Sequence, residues 1–125
     1  GAVNRNEQGE YEDTFRLARS LCALGASAAG VDAIDSACMD FNDLAAFERE
    51  CVQARRAGFT GKLAIHPRQV APINATFTPS AAEVEWAQRV VAAFHSHPEL
   101  GVIALDGRVI DRPHLQLAQR LLARL

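Results

Sequence analysis

The run Gly58-Phe59-Thr60-Gly61-Lys62-Leu63-Ala64-Ile65-His66-Pro67-Arg68-Gln69-Val70 sets glycines, a lysine, an apolar stretch and a His-Pro pair in an order that core packing alone does not demand. It reads as the entry to a strand and the loop that leaves it. In parallel α/β proteins, binding and proton-transfer groups gather at the carboxyl ends of strands, so His66 stands where a site is expected if Leu63 to Ile65 is a buried strand. Asp35, Asp40 and Asp43 form a second group near a strand end and invite a metal reading. Helix capping and loop hydrogen bonds account for them more simply, with Asp35 the one of the three expected to face a pocket. Asp111 precedes Arg112-Pro113, where its carboxylate can cap a helix. His95, His97 and His114 lack carboxylate or cysteine partners at metal-site spacing and are read as surface residues. Gly61 belongs to neither a Walker nor a Rossmann motif, since the glycine spacing and the Lys-Ser/Thr pair are missing.

The elements that must position these residues follow from periodicity. Tyr11 to Leu24 carries Phe15, Ala18, Leu21 and Cys22 at helical spacing and runs down to Gly25. Val31 to Ile34 reads as a short strand ending at Asp35. A second helix starts near Asp43, with Leu44, Phe47, Cys51 and Ala54 on its apolar face and Gly58 suited to the left-handed residue at its end. Leu63 to His66 is the next expected strand. Strand, helix and strand with short connections make a βαβ unit and two parallel strands. Gln69 to Phe77 should hold a helical turn. Ser80 and Glu83 form a capping box before a helix presenting Val84, Ala87, Val91 and Phe94. Val102 to Leu105, Asp106-Gly107 and Arg108 to Ile110 spell a hairpin with a two-residue turn. Pro113 opens a last helix with Leu115, Ala118, Leu122 and Leu125 on one side.

At 125 residues, with 49% of them apolar, the chain is long enough for a real core and too apolar for disorder. Its formal net charge of -2, without a run of Lys or Arg, argues against nucleic acid and against an anionic membrane surface as partners. No apolar stretch approaches the roughly 20 residues of a bilayer span, and Gly1-Ala2-Val3-Asn4-Arg5 has no signal-peptide core, so a soluble, cytoplasmic protein is expected. Cys22, Cys38 and Cys51 are an odd set without a Cys-x-x-Cys pair, which argues against disulfides and structural zinc; three buried thiols are expected.

With this order of elements, the residues resemble the C-terminal part of the HpcH/HpaI aldolase and citrate lyase beta-subunit superfamily, which includes malyl-CoA and citramalyl-CoA lyases. The resemblance is carried by Leu17-Ala18-Arg19-Ser20, Val31-Asp32-Ala33-Ile34-Asp35, Asp40, Asp43, Gly58-Phe59-Thr60-Gly61-Lys62, Ile65-His66-Pro67-Arg68-Gln69, Ile73-Asn74, Phe77-Thr78-Pro79-Ser80 and Asp106-Gly107-Arg108-Val109-Ile110-Asp111. It implies an α/β fold: the C-terminal portion of a TIM (β/α)8 barrel with parallel strands over residues 1–94, then a hairpin-helix lid over residues 95–125. A whole barrel needs about 250 residues, so the chain is expected to lack the early strands.

The resemblance further implies a magnesium-dependent carbon-carbon lyase. Its substrate would be a carboxylated 3-hydroxyacyl-CoA of the citryl-, malyl- or citramalyl-CoA kind, and its products an acyl-CoA and a keto acid. Cleavage leaves an enolate on the thioester fragment, so charge and a proton must be managed together. The family's magnesium ligands would fall before Gly1, with none expected in this chain. Asp111 matches an acidic residue that relatives carry on a lid reaching a neighbouring subunit, which implies a homo-oligomer and a proton-transfer role beside its capping role. His66, Pro67, Gln69, Asn74 and Asp35 are the candidates for contact with substrate or CoA, and Lys62 is either a phosphate contact or a solvated lysine. The competing reading is a non-catalytic α/β fragment or a CoA- or protein-binding module that retains the signature.

Overall fold

Asp13–Ala29 forms the first helix, α1, in the computed structural model, which describes residues 4–125. Gly25 lies inside this helix instead of ending it. The terminator is Gly30, whose left-handed backbone (φ 70°) turns its N–H back onto Ala26 and Ser27, while the Val31 N–H closes on the Ala26 carbonyl at 3.0 Å. α1 is also rolled relative to the expected stripe. Ala23 is its buried residue and Arg19 is turned partly inward, whereas Leu17, Leu21, Leu24 and Cys22 are exposed. The expectation of three buried thiols therefore fails at Cys22, because the face that carries it meets no neighbouring element.

β1 is Ile34–Asp35, α2 is Leu44–Arg56 and β2 is Gly61–Lys62. β1 and β2 pair in parallel with Ile34 opposite Gly61 and Asp35 opposite Lys62, which is the βαβ connection read from the sequence. Asp43 caps α2 by accepting from the Ala46 N–H at 2.9 Å, and Phe47, Cys51 and Ala54 are buried along it as their spacing requires. Gly58 follows the helix with φ 97°.

The expected strand from Leu63 to His66 does not form. Leu63 still donates to the Asp35 carbonyl at 3.0 Å, but the Ile65 and His66 N–H groups are taken by the Gln69 side chain, so the ladder ends there. Leu63 is 56% and Ile65 47% exposed, against the buried strand expected for them. A 3-10 turn, Pro67–Gln69, leads directly into α3, Val70–Phe77.

Packing divides the chain into two compact units, Gly1–Thr78 and Pro79–Leu125. The second contains α4 (Ala81–Ser96), β3 (Val102–Leu105), β4 (Arg108–Asp111) and α5 (Arg112–Leu122). Ser80 and Glu83 make the capping box of α4. β3 and β4 are antiparallel around Asp106-Gly107, both with positive φ (52° and 73°) as a type I′ turn requires. Ala87, Val90, Phe94, Ile110 and Ala118 form one apolar cluster, flanked by Trp86, Leu115 and Leu122 among others. Val90, instead of Val84 or Val91, is the fully buried valine of α4.

The barrel of the expected fold is therefore present only in part: among the described residues the sheets are one parallel pair and one hairpin, and neither closes. No helix among the described residues is long and apolar enough to cross a membrane.

Candidate functional site at the carboxyl ends of the parallel strands

β1 and β2 both deliver a charged residue at their last position, Asp35 and Lys62, and the parallel register sets the two side by side. Neither side chain reaches solvent. Burial of this kind is tolerable only if each charge is matched, and it is. The Lys62 ammonium donates to Asp35 Oδ2 at 2.8 Å, to the Ser36 carbonyl at 2.8 Å and to Glu50 Oε1 of α2 at 2.7 Å, which uses all three of its hydrogens. Arg19 of α1 grips Asp35 with two bonds of 2.8 Å, and Arg5 grips Glu50 at 2.9 and 3.0 Å. Tyr11 lies under both guanidinium groups, 4.0 Å from Arg5 and 4.4 Å from Arg19.

The electrostatics follow from these partners. Burial pushes the Asp35 carboxyl up, but hydrogen bonds from Arg19 and Lys62 outweigh it and hold the group below its ordinary value. Glu50 is treated the same way by burial and then by Lys62 and Arg5, with the same net lowering. Lys62 is pushed down by burial and more strongly up by its two carboxylates. Cys51, buried beside them in an apolar setting, has its thiol pushed up to about 11, chiefly by burial. The cluster is a permanent ionic staple that joins α1, β1, α2 and β2.

Lys62 is thus neither a solvated lysine nor a free phosphate contact, because its ammonium is consumed inside the fold. Asp35 does not face an open pocket, for the same reason. The sequence marked Lys62 and Asp35 but not Glu50, Arg5 or Tyr11 as their partners. The sequence sets the second strand at Leu63 to His66, past Lys62, and so does not place the lysine opposite Asp35 as the structure does.

Above the staple, the loops leaving the two strands are laced together. Gln69 is fully buried: its Oε1 accepts from the Ile65 and His66 N–H groups at 2.8 and 3.2 Å, and its Nε2 donates to the Cys38 carbonyl at 2.9 Å. His66 stacks on Phe41 with ring centres 4.7 Å apart and planes within 7°. Its Nδ1 accepts from the Arg68 N–H at 3.2 Å, which leaves the proton of a neutral ring on Nε2. Pro67 opens the 3-10 turn that this hydrogen bond caps. Asn74 lies on the exposed side of α3. Asp40 accepts from the Asn42 N–H at 2.8 Å and, like Asp43, is spent on local structure.

Asp111, in the second unit, caps α5 by accepting from the His114 N–H at 3.4 Å, and its Oδ1 lies 2.6 Å from His114 Nδ1. His114 therefore has a carboxylate partner three residues away in sequence, as a hydrogen-bonded pair and not as part of a metal-ligand group.

The described residues do not fit magnesium. No group of three or more His, Cys, Asp or Glu that could hold a metal ion is found among them, and the carboxylates of buried Asp35 and partly buried Glu50 are already neutralised by Lys62, Arg5 and Arg19. A hard cation wants uncommitted oxygens, and these are committed.

Residues 12–125 match the family described as C-C bond lyase of the TIM-barrel fold, and the chain belongs to it. It is 39% identical over 106 residues to a mitochondrial citramalyl-CoA lyase of Rattus norvegicus, a stretch covering 83% of this chain and 31% of that protein. A (3S)-malyl-CoA thioesterase of Cereibacter sphaeroides is 40% identical over 107 residues, with 83% and 37% covered. The crystal structure of the protein CitE from Mycobacterium tuberculosis in complex with magnesium, acetoacetate and coenzyme A superposes with a TM-score of 0.76 at 35% identity. That match covers 99% of this chain and 46% of the other. The chain thus spans between about a third and just under half of the length of these relatives.

Proposed function

We propose that this chain is the closing portion of a carbon-carbon lyase that cleaves a carboxylated 3-hydroxyacyl-CoA thioester into an acyl-CoA and a keto acid. In this reading residues 1–94 close the barrel and residues 95–125 form its lid, while magnesium is held by residues outside this chain. The observation that carries the reading is the match over residues 12–125 to a C-C bond lyase family. The laced loops support it. Binding a long, flexible thioester is cheaper when the wall that meets it is already ordered, and Gln69, His66 and Phe41 order the two loops from within.

During cleavage the hydroxyl proton leaves, the carbon-carbon electron pair passes to the thioester fragment as an enolate, and the enolate carbon then takes up a proton. Asp111, ionised at rest, is the proposed group that takes up the hydroxyl proton and then returns it to the enolate carbon. His66, with its N–H on Nε2, is the proposed donor toward substrate on the wall, with Pro67 and Asn74 shaping the same edge. Gln69 and Asp35 act there through the backbone and the ionic staple, since both are buried.

Exposed Leu17, Leu21, Leu24, Val31, Ile34, Leu63 and Ile65 support association with further barrel strands or another subunit, because apolar surface of this extent is unfavourable in water. A non-catalytic binding module is the second reading, favoured by the commitment of the Asp35 and Glu50 carboxylates to ion pairs. Turnover separates the two. In protein carrying a whole barrel, Asp111→Asn should abolish most cleavage of a carboxylated 3-hydroxyacyl-CoA and leave CoA affinity intact. Unaltered turnover in that variant removes Asp111 from the chemistry, and absence of cleavage in the parent with magnesium and citryl-, malyl- or citramalyl-CoA favours the binding module.

A further inference from the structure

Two hydrogen bonds compete for His114 Nδ1. The ring nitrogen lies 3.3 Å from the Asp111 N–H, which needs it as an acceptor, and 2.6 Å from Asp111 Oδ1. A bare imidazole nitrogen and an ionised oxygen cannot approach to that second distance with their lone pairs facing, so a proton lies between them. One nitrogen of a neutral ring cannot accept from the amide and donate to the carboxylate at once. The contact to the charged acceptor is the shorter by a wide margin, and charge-assisted hydrogen bonds are the stronger kind.

We propose that His114 is a positioning residue for Asp111: its Nδ1–H is donated to Oδ1, which fixes the rotation of the carboxyl group and leaves Oδ2 as the atom that faces the reacting carbon. The proposal rests on the role given to Asp111 above. The backbone on either side is already fixed, since Asp111 ends β4 and caps α5 while Pro113 holds the first turn. The side chain's remaining freedom is the rotation that His114 removes. Among the described residues no hydrogen bond to Oδ2 is present, and the two side chains are 46% and 45% exposed, within reach of a ligand. The same hydrogen bond from His114 holds the Asp111 carboxyl below its ordinary value, consistent with an ionised oxygen and the proton on nitrogen. A capping role alone asks the reverse of His114, namely a bare Nδ1 that accepts from the Asp111 N–H.

Nitrogen-15 NMR of the histidine ring in the 125-residue chain reads the proton's place directly. Neutral His114 should be protonated on Nδ1, and Asp111→Asn should move that proton to Nε2. A ring protonated on Nε2 in the parent chain overturns the proposal. In protein carrying a whole barrel, His114→Leu should lower kcat on the order of 10-fold with little change in KM, as loss of orientation does. His114→Asn, whose side-chain N–H reaches the same point, should restore most of it. If kcat in His114→Leu equals that of the parent, or falls only in proportion to folded protein measured by circular dichroism, the positioning role is overturned while the loss in Asp111→Asn stands. If Asp111→Asn keeps turnover, it is the lyase role of Asp111 that fails, and the ring tautomer still reports the hydrogen bond.

Discussion

The two units solve the problem of a core in opposite ways. Pro79–Leu125 encloses one contiguous apolar cluster, Ala87, Val90, Phe94, Ile110 and Ala118, between two helices and a hairpin. Gly1–Thr78 has two small apolar clusters, around Ala54 and around Phe47, and between its elements it buries the ions Asp35 and Lys62 beside a partly buried Glu50. It also leaves the leucines of α1 outside. Apolar packing is tolerant, because hydrophobic side chains of similar volume substitute for one another, whereas a buried charge depends on each partner by name. The first unit is therefore the more specified and the more fragile of the two, and the strand-end loops stand on its fragile part.

The comparison is broken most severely at Lys62. Lys62→Met removes the cation that pairs with buried Asp35 and partly buried Glu50 and should destabilise the first unit by about 3–5 kcal/mol, the usual consequence of breaking a buried pair on one side. Hydrogen exchange should show the loss confined to α1, α2 and α3, with α4 and α5 protected as before. Equal loss of protection in both units would mean that they do not differ in this way. Gln69→Leu tests the lacing above the staple. It leaves the Cys38 carbonyl and two N–H groups without their partner, at a cost of about 1–3 kcal/mol for a buried group left unsatisfied, and denaturant titration followed by Trp-independent circular dichroism measures it.

Acid sharpens the contrast. Asp35 and Glu50 lie below their ordinary values of 3.8 and 4.5 in the folded chain, so the stability they contribute is fully present above those values and is lost as pH falls through their lowered folded-state values. At the alkaline end, Cys51 is raised from 9.0 to about 11, so its contribution is complete below pH 9 and disappears as pH rises toward 11. The first unit should therefore lose stability at both ends of a pH series read by thermal unfolding. Asp111 is also lowered, but it is half exposed and water screens its partner, so the second unit should respond less. Smallest is Ser80→Ala, which removes the cap of α4 and should cost about 1 kcal/mol, read as loss of amide protection in the first turn of that helix.

Elements whose signals lie within a few residues of one another were legible. The Ser80 to Glu83 capping box, the Asp43 cap, the Asp106-Gly107 turn and the Phe47, Cys51, Ala54 stripe all stand where the sequence puts them. Each is a local rule, satisfied by backbone groups three or four residues away. The family was legible as well, since residues 12–125 match it. What failed was decided by polar side chains, near or far along the chain, that the apolar pattern does not report. The strand expected at Leu63 to His66 stops at Lys62 because a glutamine side chain takes the next N–H groups. The apolar face of α1 points outward because Arg19 is turned toward Asp35, 16 residues away.

Sequence alone thus determined the order of the elements, their caps and turns, and the kinship with carbon-carbon lyases, because these depend on neighbours and on motifs kept in register. Only the tertiary structure decided that Lys62 is an internal counter-ion and that Gln69 binds two loops together through the Cys38 carbonyl. Charge and hydrogen bonding act over a few ångströms in space, and the partners of a buried polar group can come from any point of the chain that folding brings within reach.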